Sequence, residues 1–260
     1  MTARAAEARD SMFQSTLPFG EPDLMRASAF QRYLDESARD GDADATSSRL
    51  STLSPSLMLD LLRFEQEGRL GGVVEILAAC IRHARRLLVH LQADDRVVPL
   101  TLFPVERLVH CPMPMAQFLQ YPLGELGVLH VEPALLRPPG DRVRSMVGEE
   151  QHYGPLAPLL WELALRGSRD ELLPEIAGQA AYRISAGLNL RTLELSGTMA
   201  DAVARLKRET SNLRAIAQWP GFDRERAMRL LNGLYLQGGL MVSRTHPAAT
   251  NEGWAAGRGL

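Results

Sequence analysis

Near Arg86 the hydrophobic pattern changes period, and that change constrains the fold more than any other feature of the chain. Upstream, "SPSLMLDLLRFEQEGRL" and "GVVEILAACIRHARRL" repeat apolar residues at helical spacing. Ser54 stands as an N-cap with Pro55 at the first helical position, ahead of Leu57, Leu61 and Phe64. Gly68, Gly71 and Gly72 separate this stretch from a second helix carrying Val73, Val74, Ile76, Leu77, Cys80 and Ile81. Downstream, "LLVHL" and "VVPLTLF" are rich in branched residues and flank "ADDR", a turn signal. "RLVHC" follows Pro104, "MAQFLQYPLGEL" reads as a short helix or loop, and "GVLHVEPALL" is a further strand running to "RPPG". Pro99, Pro104, Pro112 and Pro133 interrupt these stretches, which favours short, edge-type or bulged strands. The expected fold is α+β: a small antiparallel sheet of about four strands with covering helices, then a mainly helical C-terminal part.

Beyond "RPPGDRVRSMVGEEQHYGP", a polar, Pro/Gly-rich linker candidate, the chain turns helical again. "PLAPLLWELALRGS", "RDELLPEIAGQAAYRISAGL" and "GTMADAVARLKRET" are read as helices, and "RTLEL" as a short strand. The organisation expected is an acidic, mostly disordered tail over 1–51, an α+β domain over 52–140 and a linker over 141–154. A helical domain over 155–246 and a disordered tail over 247–260 complete it. "DESARDGDADATSSR" is too poor in apolar residues to offset its ordering entropy. Within that tail, "PDLMRASAFQRYLDES" places Leu24, Met25, Ala29, Phe30 and Leu34 at helical spacing. This helix packs on the protein's own body or docks in a partner's groove.

Composition narrows the function classes. A content of 45% hydrophobic and 23% charged residues is that of an ordinary globular protein with a core. A formal charge of -2 argues against a chain that coats nucleic acid, while leaving room for one basic patch. Every basic residue except Lys207 is arginine, which reads as coding bias. No stretch approaches the ~18–20 apolar residues of a membrane span. The N-terminus lacks the apolar run of a secretory signal, so a cytoplasmic location is expected. Cys80 and Cys111 stand apart and outside any C-x-x-C pattern, so neither a disulfide framework nor a zinc site is expected.

Catalytic signatures are not found. His110 and Cys111 are neighbours in a strand and point to opposite faces, so they do not share a ligand site. A pocket gathering His110, His130 and a carboxylate would point to an enzyme. Asp94–Asp95 and Glu149–Glu150 fall in turns or linkers. No nucleophile elbow, P-loop or H-E-x-x-H occurs. The expectation is a non-enzymatic chain with no cofactor and no metal.

The most patterned stretch is "SNLRAIAQWPGFDRERAMRLLNGLYLQGGLMVSR". Ser211 is read as the cap of a short helix burying Leu213, Ile216 and Ala217, with Pro220 and Gly221 supplying a turn. Asp223 then caps a longer helix from about Arg224 to Gln237, ended by Gly238 and Gly239. At 100° per residue its apolar face collects Ala227, Leu230, Leu231, Leu234 and Tyr235. The opposite face carries Glu225, Arg229 and Asn232, flanked by Arg226, with Leu236 projecting toward it. "LMVSR" reads as a returning strand.

Helix, turn, helix and strand in this order resemble the winged-helix group of the helix-turn-helix superfamily, over roughly the last third of the chain. "LLNGLYLQGGLMVSR" also resembles C-terminal modules of bacterial signalling proteins related to gliding-motility and PatA-type regulators. The resemblance implies one of two uses. One is a regulatory or adaptor role through protein contacts, with homodimerisation as one arrangement. The other is DNA binding by a transcription regulator. Arg224, Arg226, Arg229, Asn232, Leu236 and Arg244 are the candidate partner- or DNA-binding residues. Arg226, Arg229 and Asn232 are the types that grip or read DNA from a recognition helix. Between Asp201 and Arg244 the eight basic and four acidic residues balance at 8 − 4 = +4, modest for a phosphate-neutralising surface. Glu225 would repel phosphate, and an exposed Leu236 suits a protein contact better. On this reading, Leu236→Asp removes partner binding without disturbing the fold.

Overall fold

The computed structural model describes residues 24–39, 55–57, 60 and 72–249. Most of the proposed first helix after Ser54, and much of both tails, lie outside the described residues. The chain forms a mixed α and β structure with two antiparallel sheets and helices between them.

The change of period at Arg86 is where helix gives way to sheet. Helix α1 spans Ala27–Arg39 and α2 spans Val73–Arg82. Strands β1 (Leu87–Ala93), β2 (Arg96–Phe103) and β3 (Leu108–His110) follow, then a short α3 (Met115–Phe118) and β4 (Gly127–Pro133). A fifth strand, β5 (Tyr153–Pro155), completes the order β4-β1-β2-β3-β5. The tight β1–β2 turn is made by "ADDR", with Asp94 in the left-handed region at φ 53°. β1 alternates strictly: Leu87, Val89, Leu91 and Ala93 face the core and the residues between face outward.

Two expectations about the sheet change. β5 comes from the stretch read as a linker; it pairs with β3, where Val109 opposes Gly154 and His110 opposes Tyr153. Three residues are too few to show a period, so nothing local marks them as a strand. β2, despite Pro99, is a long central strand. Pro99 lies outside the three residues of β2 that pair with β3, where a residue without an N–H is tolerated. β4 carries an irregularity opposite His90 and Leu91 that brings both Leu129 and His130 to the outer face.

Helix α1 lies on that outer face, burying Ala27 and Phe30 against Val97. Of the alternatives for this amphipathic piece, it packs on the protein's own body. Backbone bonds from Ala27 to the Asp95 carbonyl and from Val97 to the Met25 carbonyl, both 2.8 Å, pin its start.

On the other side of the sheet, α2 and α4 (Leu156–Arg166) bring the core together. Residues 169–180, expected to be helical, form turns, and Ala181–Ile184 is a strand, β6. Pro174 and Gly178, the latter at φ 88°, break the period a helix would need. "RTLEL" is a turn rather than a strand. Helix α5 (Gly197–Arg208) precedes β7 (Ser211–Asn212), α6 (Leu213–Ala217), α7 (Arg224–Leu236) and β8 (Leu240–Ser243). β6 is the centre of the second sheet, ordered β7-β6-β8. Buried apolar residues from Leu57 to Leu236 form one cluster, so the same core passes beneath both sheets. Among the described residues, no helix is long and apolar enough to cross a membrane.

Candidate protein-contact surface

The α6–turn–α7 stretch is built by its caps. Asn212, not Ser211, caps α6: its Oδ1 accepts from Ala215 N at 2.8 Å, while Ser211 sits in β7. The turn passes through Gly221 at φ 74°, a conformation glycine adopts without strain. Asp223 Oδ1 accepts from Arg226 N at 2.7 Å and starts α7. Gln237 ends it, and Gly238 at φ 74° turns the chain into β8.

The expected apolar face is buried: Ala227, Leu230, Leu231 and Leu234 are inaccessible, and Tyr235 is partly covered. On the face expected to be open, Glu225 and Arg226 are exposed, but the C-terminal half is closed. Asn232 and Leu236 are each 1% exposed. Helix α4 accounts for this, because it lies against α7 so closely that a Cβ on Gly233 would stand 3.0 Å from the Trp161 ring. Asn232 Oδ1 accepts from Leu173 N at 2.9 Å and its Nδ2 donates to Glu171 O at 2.8 Å. Its amide holds the 169–176 turns in place and is out of reach of a base edge. Leu236 is a core residue, which overturns its role as an exposed contact.

The arginines of this set are also engaged within the fold. Arg229 donates to the Leu165 and Gly167 carbonyls at 3.2 and 2.7 Å, closing the C-terminal end of α4, and pairs with Glu225 at 2.9 Å. Arg226 donates to Gly221 O at 2.8 Å and to Thr198 Oγ1 at 3.1 Å, with its guanidinium over Phe222. Arg244 donates to the carbonyls of Ala177, Gln179 and Glu175 and so clamps the turn before β6. Arg224 is exposed at the start of α7. The structure therefore does not bring the six candidates onto one surface.

Arg224 does border a cleft of about 460 Å³ beside the first turn of α7. Arg214 on α6, Arg224 and Glu225 on α7, and Asp170 and Glu171 on the loop after α4 border it. Leu172, Ala177, Leu213 and Met228 line it between them. Its size falls within the ~300–1,000 Å³ of ligand-binding clefts. The sequence pattern missed this cleft because Asp170 and Glu171 were assigned to a helix, and no local signal places that loop beside α7.

Four of the six histidines form two separate groups, His90 with His130 and His110 with His152. His90 on β1 stacks on Phe30 of α1 at 4.6 Å between ring centroids, and His130 of β4 lies 5.8 Å from it. Burial, with the neighbouring His130, brings the His90 pKa down to about 4. His110 on β3 packs edge-on against Tyr153 and His152, and burial lowers its pKa too. β1 and β2 separate His110 from His130, so the two do not meet. Cys111 is buried on the core side, and burial pushes its thiol up to about 11 and that of Cys80 to about 12. Among the described residues no group of three or more His, Cys, Asp and Glu could hold a metal ion. Compared with known proteins, the chain matches no family model, no curated protein and no solved structure.

Proposed function

We propose that this chain is a cytoplasmic, non-enzymatic regulatory or adaptor protein of bacterial type that acts through protein–protein contacts. The observation that carries the reading is the closure of the C-terminal half of that side of α7 against α4 and the loop after it, which leaves only the first turn of the helix exposed. Asn232 and Arg229 hold carbonyls of the protein itself, so base-reading groups are not presented there. The reading keeps α5, β7, α6, α7 and β8 as a winged-helix-like module used as a scaffold. In support stands the order of elements; a departure is that β8 pairs with β6, which precedes α5, rather than with a strand that follows it.

The test is affinity purification of the full-length chain from its native host, with and without nuclease. A protein that co-purifies in stoichiometric amount after nuclease treatment is expected. Recovery only as long as nucleic acid is intact would overturn the reading.

A transcription regulator is the second reading, favoured by exposed Arg205, Lys207 and Arg208 on α5 and Arg214 on α6. It requires retention of duplex DNA at low salt that weakens steeply as salt is added.

A further inference from the structure

We infer that α1 is a strap, hinged at its N-terminal end, that swings off the outer face of the first sheet while the rest of the fold stays intact. The inference does not depend on the adaptor reading. The hinge is made by the backbone: Val97 N donates to Met25 O and Ala27 N to Asp95 O, both at 2.8 Å, and Arg96 donates to Leu24 O at 2.7 Å. These bonds fasten residues 24–27 to the β1–β2 turn and to the start of β2. The arm of the strap lacks such ties. Among the described residues, no hydrogen bond or ion pair joins the side chains of 31–36 to another element; Arg32 reaches only Ser28 O, one turn back in the same helix. What holds the arm is apolar and small. Phe30 is buried, with Leu34 beside it, in a cluster with Ala27, Val97 and Leu129 that is separate from the main core. Lifting the arm therefore breaks no packing of that core. Against the arm stands a buried polar atom without a partner, Nδ1 of His90, whose ring stacks on Phe30 at 4.6 Å between centroids. A buried donor or acceptor left unpaired costs free energy, and opening returns it to water. That gain offsets part of the Phe30 burial that opening gives up. An element with few buried apolar residues and no polar ties opens locally, ahead of the global transition. Opening uncovers Val97 on β2, Leu129 on β4 and His90 on β1, so the strap decides whether an apolar strip of the sheet meets water.

Thiol labelling tests this on the full-length chain. Cys80 and Cys111 are buried in the main core, so they react with a thiol reagent only when the whole fold opens. Val97 is 3% exposed beneath α1, and the Val97→Cys variant places a further thiol there with little change in volume. Under native conditions that thiol is expected to react at least about a hundredfold faster than Cys80 and Cys111, because it needs only the local opening. Adding Phe30→Ala should speed its labelling about tenfold or more and leave Cys80 and Cys111 unchanged, since the Phe30 ring is most of what holds the arm. Hydrogen exchange of the unsubstituted chain supplies a second measurement. Amides at 31–36 should exchange through an opening that urea leaves unaffected, and those of β1 and α7 through one that urea promotes. Labelling of all three thiols in step, or equal acceleration of all three by Phe30→Ala, overturns the strap. So does exchange at 31–36 with the same urea dependence as in β1.

Discussion

The Arg107 guanidinium donates to Gln237 Oε1 at 3.1 Å, tying the β2–β3 turn to the C-terminal end of α7 across 130 residues of chain. Gln237 Nε2 donates in turn to Ala157 O at 2.9 Å at the start of α4. A single buried amide thus joins the first sheet, α4 and α7. Arg107 is held in the left-handed region at φ 57°, and burial lowers its pKa without removing its charge. Replacing Gln237 by Met, similar in volume, takes away the amide acceptor of the guanidinium and the donor to the carbonyl. The expected loss is about 1–3 kcal/mol in urea unfolding, since unsatisfied buried groups cost more than the bond itself contributes. A change below ~0.5 kcal/mol, within the range of an ordinary surface substitution, would mean the bridge contributes nothing.

Leu236→Asp is expected to unfold the protein or expose its core, contrary to the reading in which Leu236 is a surface contact. At 1% exposure Leu236 offers a carboxylate neither water nor a partner. Leu236→Ala should cost ~2–5 kcal/mol through the cavity it leaves. Circular dichroism and thermal melting decide it: a native spectrum and an unchanged midpoint for Leu236→Asp would place this residue at the surface.

Gly233→Ala sets two opposed effects against each other. Removing a glycine from a helix interior gains up to ~1 kcal/mol in propensity. The new Cβ would stand 3.0 Å from two carbons of the buried Trp161 ring, and relieving such overpacking typically costs ~1–3 kcal/mol. Destabilisation is therefore expected, with a shift in Trp161 fluorescence. Stabilisation would mean that α4 and α7 can separate at little cost.

Acid should weaken the fold through His90. Its folded pKa of about 4 lies below its ordinary value of 6.5, so between these values the unfolded chain binds the proton more readily. Stability is complete above pH ~6.5 and falls as pH drops toward 4, by on the order of 2 kcal/mol after allowance for the ring's partial exposure. His90→Phe, which keeps the stack on Phe30, should flatten urea midpoints measured across that window. A smaller slope from His110, shifted in the same direction, should remain. Identical pH dependence in variant and wild type would dismiss His90 as its source.

Some element boundaries are legible in the amino-acid order, where a strong local signal stands alone. Asp223 and Gly238 bracket α7 because a cap and a left-handed residue act within a few residues of themselves. The alternation of β1 and the apolar spacing of α2 were legible for the same reason, each belonging to a single element with one buried side. The tertiary structure alone decided which side of α7 faces water. Leu230 and Leu234 lie on one side of the helix and Asn232 and Leu236 on the other, and the second side keeps only its first turn in water once α4 and the loop after it close over the rest. Asn232 looked like a surface residue because its partners, Leu173 N and Glu171 O, lie some sixty residues away in sequence and carry no mark that they are partners. β5 became a strand only because β3 offered it an edge, and the cleft exists only where the loop after α4 meets α6 and α7. Burial and long-range hydrogen bonding are properties of where distant segments come together, and no local period encodes them.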